Sequence, residues 1–489
     1  MTRSTLPPAV RSVGLVVILG AIMSVLDTTI VNVALDTLSR ELDAPLEDVQ
    51  WVATGYLLAL ATVIPITGWL ATAYGARRVY LLALVAFTAG SALCAAAWNV
   101  ESLVAFRVLQ GVGGGMTLPI GQMMLARAAG PQNMGRVMSI IGVPIVLAPV
   151  LGPVLGGWLL DSFGWQWIFL INVPLGVVAV ALGLRRLPRS EPARVEAGPL
   201  DVVGLALLAF GLPLLVFGLA EFGTTGTIAA TRVWLPLALG AVLIASFVRH
   251  ALLVERPLLD VRLFGNSAFS AAALTTFCLG GALFGAMLIM PLYYQLVRGE
   301  DALTTGLLLA PQGVGAALAM ALSGRLTDRV GGGPVALAGI AITAISTVPF
   351  AFVGADDSYL MLSAFLVLRG FGIGTAIMPA MSAAYAVLDP AEITNATPQL
   401  TVLQRVGGSV GTAILSVVLA NELDGARTPA AAAAGFAATY WWALVVTLVA
   451  AAPALMLVRV EHRARRARGE EAQRAAGIDV AAERVEVGV

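Results

Sequence analysis

No lysine occurs in this 489-residue sequence, so arginine supplies all 29 basic side chains, against 29 acidic ones. Histidine and cysteine are scarce, at two residues each. Cys94 and Cys278 both fall inside apolar runs, where a small buried thiol is the ordinary reading, so neither a disulfide nor a metal site is expected. There is no His-Glu-x-x-His pair, nucleophile elbow, phosphate-binding loop or acidic metal cluster. Enzymatic or ATP-driven chemistry has no catalytic set to use, so the chain is not expected to be an enzyme and no cofactor is expected. Charge of either sign is sparse as well: charged residues make up 12% of the chain and hydrophobic ones 58%, with a mean hydropathy of +0.89. That composition excludes a soluble globular domain.

What is present is a succession of apolar runs of the ~20 residues that a helix needs to cross a hydrocarbon layer about 30 Å thick. Fourteen spans are predicted, over 13–35, 49–70, 79–97, 102–125, 136–159, 167–187, 200–220, 233–254, 268–293, 304–323, 335–353, 359–386, 399–420 and 437–458. The first is too long for a secretory signal and lacks a small-residue cleavage site before its polar flank. Orientation follows from arginine, which accumulates on cytoplasmic flanks. With both termini inside, the inner segments hold 22 of the 29 arginines, and the outer loops hold only Arg40, Arg232, Arg298 and Arg427. The arginine-rich stretch after Arg459 reads as an anchor on that side, with lipid headgroups as a lesser role. These features predict a multi-pass, monomeric protein of the cytoplasmic membrane, surrounded by lipid and without a nucleic-acid partner.

The chain also echoes itself. "GWLATAYG" from Gly68 and "GRLTDRVG" from Gly324 share glycines seven apart, and "GVGGG" from Gly111 matches "GFGIG" from Gly370. The separations, 256 and 259 residues, cover eight predicted spans rather than six. Two six-helix halves with a two-helix insert account for this, in an all-α polytopic fold. The expected segments are 1–12 as a cytoplasmic N-terminus, 13–187 as the first bundle, 188–262 as a linker with two extra helices, 263–460 as the second bundle and 461–489 as a cytoplasmic tail. Parallel repeats of this kind place a binding cavity between the halves near the midplane.

The stretches "LDTTIVNVAL", "GWLATAYGARRVYL", "RVLQGVGGG" and "GVPIVLAPVLGPVLGG" together resemble the major facilitator superfamily, and within it the fourteen-span drug:proton antiporters. "PLLDVRLFGN" and "LLLAPQGVG" look like that family's second half, so the resemblance runs from about residue 11 to 460. It implies a proton-driven exporter of amphipathic small molecules such as drugs, antibiotics or dyes. Two other readings remain: a dedicated exporter of one native metabolite or lipid, and a non-transporting membrane sensor or scaffold.

The residues carry physical content of their own. Arg107, Gln110, Gly111 and Gly114 share one helical face, and a guanidinium within the bilayer should face a paired or water-filled interior, unless it snorkels to the interface. In the resembled family this arginine influences proton transfer. Along the fifth span, Ala148, Gly152 and Gly156 form a small-residue strip for close helix contact. With Gly142, Pro149, Pro153 and Gly157 they resemble the antiporter signature that marks exporters. The loop glycines Gly68, Gly75 and Gly324, with Arg77, Arg78, Asp328 and Arg329, resemble the family's cytoplasmic gate. Thr72 stands where the family usually has Asp, so the latch is expected to be weaker in the first half.

Sorting every Asp and Glu against the spans leaves one carboxylate well inside the membrane, Asp27. A proton carrier must change charge within the translocation path, which makes Asp27 the coupling candidate by elimination, binding a proton or a cationic substrate alternately, and the family's first-span motif has its acid at this position. The alternative is an acid that pairs within the bundle, with Arg107 for instance, and never titrates. Asn32, Tyr56, Gln122, Tyr293, Gln295 and Gln312 are candidates for lining the substrate cavity, along with Tyr294, Tyr385 and Gln404; each could instead be a helix–helix hydrogen bond or interface anchor. Arg369 and Arg405 read as pairing groups inside the second bundle. Because "QLTVLQRVGGSVGTAILSVVLA" has no acid and carries Arg405, a rigid dication should be transported less well than a neutral or monocationic amphiphile of similar size. Uptake of a mono- and a bis-quaternary compound into inverted vesicles, measured side by side, checks this; robust proton-coupled transport of the dication contradicts it.

Overall fold

Inside hydrocarbon no water answers backbone N–H and C=O groups, and a helix answers them within a single segment. The computed structural model describes residues 8–129, 134–188, 198–389 and 392–463, and its regular elements are helices. The first half comprises α1 (Pro8–Glu41), α2 (Leu46–Val63, continued past a 3-10 turn by Thr67–Tyr74), α3 (Ala76–Ala95), α4 (Val100–Ala129), α5 (Met134–Phe163) and α6 (Asn172–Arg186, after the short turn Trp167–Leu170). Then come α7 (Val202–Thr225) and α8 (Thr231–Leu253). The second half comprises α9 (Ser267–Leu296), α10 (Ala302–Val330), α11 (Gly332–Thr347), α12 (Tyr359–Ala386), α13 (Ile393–Leu423) and α14 (Pro429–Val449). Thirteen stretches of the described residues are long and apolar enough to cross a membrane, and the 30-residue α5 completes the fourteen. Several helices overrun their predicted spans, because hydropathy reports the apolar length while the helix continues into the polar flank. The exposed Asp36–Arg40 pair, 2.7 Å apart at i, i+4, extends α1 in this way. The expected arginine-rich tail lies mostly outside the described residues.

Helix ends obey local chemistry. Asn266 caps α9 by accepting from the amides of Ala268 and Phe269, and Asp301 caps α10 by accepting from Thr304 N–H at 2.6 Å. Gly75 (φ 86°) and Gly331 (φ 104°) take positive φ at the matching turns α2–α3 and α10–α11, a conformation open to glycine at no steric cost. At the start of α7, Asp201 accepts from Gly204 N–H, from Leu258 N–H and from His250 Nε2. Partial burial opposes its charge, but these contacts together hold the carboxyl below its usual range.

Packing repeats between the halves. α2 lies on α4 and α3 on α4, as α10 lies on α12 and α11 on α12, while α1 packs on α5 as α9 packs on α13. The glycine runs explain the close crossings: a Cβ on Gly111 would meet Tyr56 O of α2 at 2.7 Å, and one on Gly370 would meet Gln312 O of α10 at 1.9 Å. The halves meet through α5 against α10 and α12, and through α2 and α4 against α13. The hairpin α7–α8 is attached by α7, which touches both α2 and α13. There Trp51 stacks on Phe217, with ring centroids 6.2 Å apart.

Another close seam joins α9 to α13. A Cβ on Gly407 would lie 2.1 Å from Phe277 O, and one on Gly411 2.2 Å from Gly281 O. Gly411→Leu should therefore wedge two backbones apart and cost about 1–3 kcal/mol. Gly157→Ala, whose Cβ would meet nothing within 4 Å, should be neutral. Thermal unfolding of the detergent-solubilised variants checks the contrast, and equal melting of the two would refute it.

Candidate functional site

Asp27 lies in the middle turns of α1 and is fully buried, and Arg107 on α4 is 1% exposed. The arginine does not snorkel. Its Nη1 donates to Asp27 Oδ2 at 2.5 Å and to Gln110 Oε1 at 2.8 Å, and its Nε donates to Val52 O at 3.0 Å. The guanidinium carbon stands 4.2 Å from the Tyr56 ring centroid and 5.7 Å from that of Phe169, so the cation has aromatic faces as well as acceptors. Asp27 Oδ1 in turn accepts from Gln110 Nε2 at 2.9 Å and from Asn172 Nδ2 at 3.0 Å. Ser91 Oγ accepts from both amides, at 3.1 and 3.2 Å, and donates to Phe169 O at 2.9 Å.

Five helices thus converge on one ion pair: α1 brings Asp27, α2 brings Val52 and Tyr56, α3 brings Ser91, α4 brings Arg107 and Gln110, and α6 brings Asn172. The sixth, α5, reaches the same segment two residues on, where Thr29 Oγ1 donates to Ala148 O at 3.2 Å and the Cβ position of Gly152 lies 2.1 Å from Thr29 Oγ1. Chemically the cluster is a carboxylate with three donors on it, beside a permanent cation. Toward the N-terminus of α4 from the pair, a depression of about 400 Å³ is lined by Asp48, Trp51, Val100, Glu101, Val104 and Ala105.

Ser91 and Asn172 escaped the reading of the sequence. Asn172 is the single amide in "WIFLINVPLG", a signal that was available, whereas Ser91 has nothing to set it apart from other small residues. Of the cavity candidates, Tyr56 joins the Asp27 cluster and the others lie apart from it. Asn32 and Gln295 are exposed, Gln122 is buried, Tyr293 donates to Gly354 O at 2.6 Å, and Gln312 accepts from Arg369 Nη1 at 3.2 Å.

The residues expected to form the gate lie at the helix ends on the face that carries both described chain ends. Asp328 Oδ1 accepts from Gly135 N–H at 2.9 Å at the start of α5, and its Oδ2 is 3.4 Å from Arg136 Nε, so a charge on one half holds a helix N-terminus on the other. The Cβ position of Gly324 is 2.9 Å from Gly135 O. In the first half the Cβ position of Gly68 is 2.7 Å from Thr394 O of α13, and Arg127 donates to the Thr394 hydroxyl. Thr72, however, donates to its own helix at Gly68 O, so no equivalent charge reaches α13 from position 72. Arg77 donates to Leu184 O at the end of α6, and Arg78 and Arg329 are exposed. In α5, the Cβ position of Gly142 lies within 3 Å of Met320 and Met378, while Gly156 faces Ile30. Pro149 and Pro153 lie on the same helix, at positions whose side chains are outside those described.

Comparison with known proteins converges on one family. The family model described as Major Facilitator Superfamily matches residues 17–412. The chain belongs to the major facilitator superfamily. It is 42% identical over 412 residues to the multidrug resistance protein B homolog of Mycobacterium tuberculosis (strain ATCC 25618 / H37Rv), covering 84% of this chain and 76% of that one. It is 30% identical over 405 residues to the multidrug export protein EmrB of Haemophilus influenzae, covering 82% and 79%. Among solved structures, the proton:xylose symporter XylE aligns over 90% of this chain and 94% of its own, with a TM-score of 0.61 at 14% identity, a likeness of fold alone. This major facilitator protein is therefore a multi-pass membrane transporter of the multidrug-exporter type rather than an enzyme.

Removing one partner of a buried ion pair strands the other charge. Asp27→Asn and Arg107→Gln should each destabilise the first bundle by about 3–5 kcal/mol, and the double variant should recover most of that loss. Thermal unfolding of the three variants checks the coupling; strictly additive losses would rule it out.

Proposed function

We propose that the protein is a proton-coupled antiporter that exports amphipathic small molecules, among them drugs, antibiotics and dyes, across the cytoplasmic membrane by alternating access, with both termini cytoplasmic. One observation carries the reading: among the described residues Asp27 is the one carboxylate that is fully buried, and it is paired with Arg107 at the centre of the first bundle. The names of the multidrug relatives support the substrate class.

In this reading Asp27 takes up a proton and Arg107 loosens from it. The guanidinium keeps Val52 O, Gln110 and the Tyr56 ring, so it is never left bare. α1 is then free to shift against α5 at Thr29, Ala148 and Gly152. α5 in turn carries Gly135 and Arg136, the groups that Asp328 holds across the halves. Proton occupancy at Asp27 is thereby linked to the gate through one helix, the two-state element that such coupling requires. Substrate binds between the halves when the inner face is open and leaves when it is closed.

Asp27→Asn should give a folded, membrane-inserted protein whose efflux no longer responds to a pH gradient. Proteoliposomes loaded with a fluorescent dye and subjected to an imposed gradient test this, and concentrative export by the variant at the wild-type level would overturn the reading. For the gate, Thr72→Asp should supply the charge that position 72 lacks and favour closure of the inner face, and Asp328→Asn should favour opening. Spin-label distances between the inner ends of α2 and α13 and of α5 and α10 report both. An unchanged distribution in each variant would argue against the latch.

A further inference from the structure

The first bundle balances its buried charge; the second does not. Arg107 has a carboxylate, a backbone carbonyl and an amide oxygen as acceptors. The second half places Arg369 and Arg405 well inside α12 and α13, and the acids in or beside those helices, Asp356, Asp357, Asp389, Glu392, Glu422 and Asp424, stand at or beyond the helix ends. Arg369 is 2% exposed, donates to Gln312 Oε1 at 3.2 Å, and leaves its Nε without a hydrogen-bond partner. No carboxylate among the described residues forms an ion pair with Arg369 or Arg405.

Other donors are stranded in the same bundle. Tyr294 O–H is buried with no partner, and so is Gln404 Nε2, next in sequence to Arg405. Tyr440, which donates only to the weak acceptor Met290 Sδ at 3.3 Å, lies within electrostatic reach of both Arg369 and Tyr294. Arg405 is half-buried on α13, with its guanidinium 6.0 Å from the Phe284 ring centroid, and lies within electrostatic reach of Tyr56 in the opposite half. Tyr56 itself stands against Arg107. Arg405 therefore lies beside Phe284 on the helix that meets α2 and α4 of the first half.

An excess of buried donors and cations with few acceptors is complementary to an acceptor-rich anion. We infer that Arg405 receives an acidic group on the exported molecule, and that the preferred substrates are amphiphilic monoanions whose apolar body lies against Phe284. This rests on the exporter reading and narrows it. It also has an electrical consequence. Exchange of a monocation for one proton moves no net charge, whereas export of a monoanion against entry of one proton carries two positive charges inward. Anion efflux should therefore respond to membrane potential as well as to pH.

The test uses the full-length protein in proteoliposomes with two probes on one skeleton, pyrenebutanesulfonate and the pyrenylbutyl trimethylammonium ion, under an imposed pH gradient or an imposed potential. The wild type should transport the sulfonate with a KM on the order of tenfold below that of the ammonium, and potential alone should drive sulfonate transport. Arg405→Gln should lower the sulfonate-to-ammonium ratio about tenfold, and Arg405→Lys, which keeps the charge, should preserve most of it. Equal handling of the two probes, or loss of both alike in Arg405→Gln with Arg405→Lys no better, overturns the inference. Arg405-dependent chloride binding without a sulfonate preference also overturns it, because the occupant would then be an inorganic ion. If the ammonium moves with the proton gradient and the sulfonate does not, the exporter reading stands and only the anion site falls. If neither probe moves against a gradient, the exporter reading falls as well.

Discussion

A guanidinium cannot be left bare in the interior of a membrane bundle, and the structure of the first half is organised around that constraint. Arg107 is placed by the glycine face of α4, which lets α2 and α3 approach closely enough for Val52, Tyr56 and Ser91 to reach the pair. The charge then needs an acid at the same depth, and Asp27 is the acid that the sequence supplies. The carboxylate needs donors in its turn, and Gln110 and Asn172 provide them. Each requirement recruits another helix, so satisfying one cation ties five helices to one point. This is the usual behaviour of buried polar networks, whose members stabilise only when all are answered.

The symmetry of the fold makes its departures informative. Gly75 and Gly331 turn the chain at equivalent places, and the first glycine of each loop motif presses on a helix of the opposite half. Yet the two copies differ in charge. Asp328 holds the start of α5 electrostatically, while Thr72 bonds back to its own helix. The face that carries both described chain ends is consequently held by a charged contact on the α5–α10 side and by packing, with the Arg127–Thr394 bond, on the α2–α13 side. The bundles differ in the same sense at depth, since one neutralises its arginine and the other does not. α5 belongs to both asymmetries, because its middle supports α1 beside Asp27 and its N-terminal end carries the groups that Asp328 holds.

The inserted hairpin follows a simpler rule. α8 is largely exposed and α7 provides the attachment, lying against α2 and α13 where the halves adjoin. In a membrane this costs little, since the faces left outside are apolar and meet lipid. The hairpin therefore spans the seam without taking part in either bundle's polar interior.

Much of this was legible in the residues alone. Hydropathy gives the fourteen crossings because the bilayer imposes one length and internally satisfied backbone on every span. The repeat gives the two bundles and the insert because equivalent glycines must stand where equivalent helices cross. Asp27 and Arg107 stand out because an ion in an apolar run demands a reason. The sequence could not say that the two meet, that Asn172 and Ser91 complete their network, or that Arg369 and Arg405 lack acids. Those facts depend on which helices become neighbours, and partners eighty or more residues apart have no local signature. Composition and periodicity determined the architecture, because lipid acts on each segment separately. Tertiary packing decided the site, because a hydrogen bond acts only between groups that the fold has brought within about 3 Å.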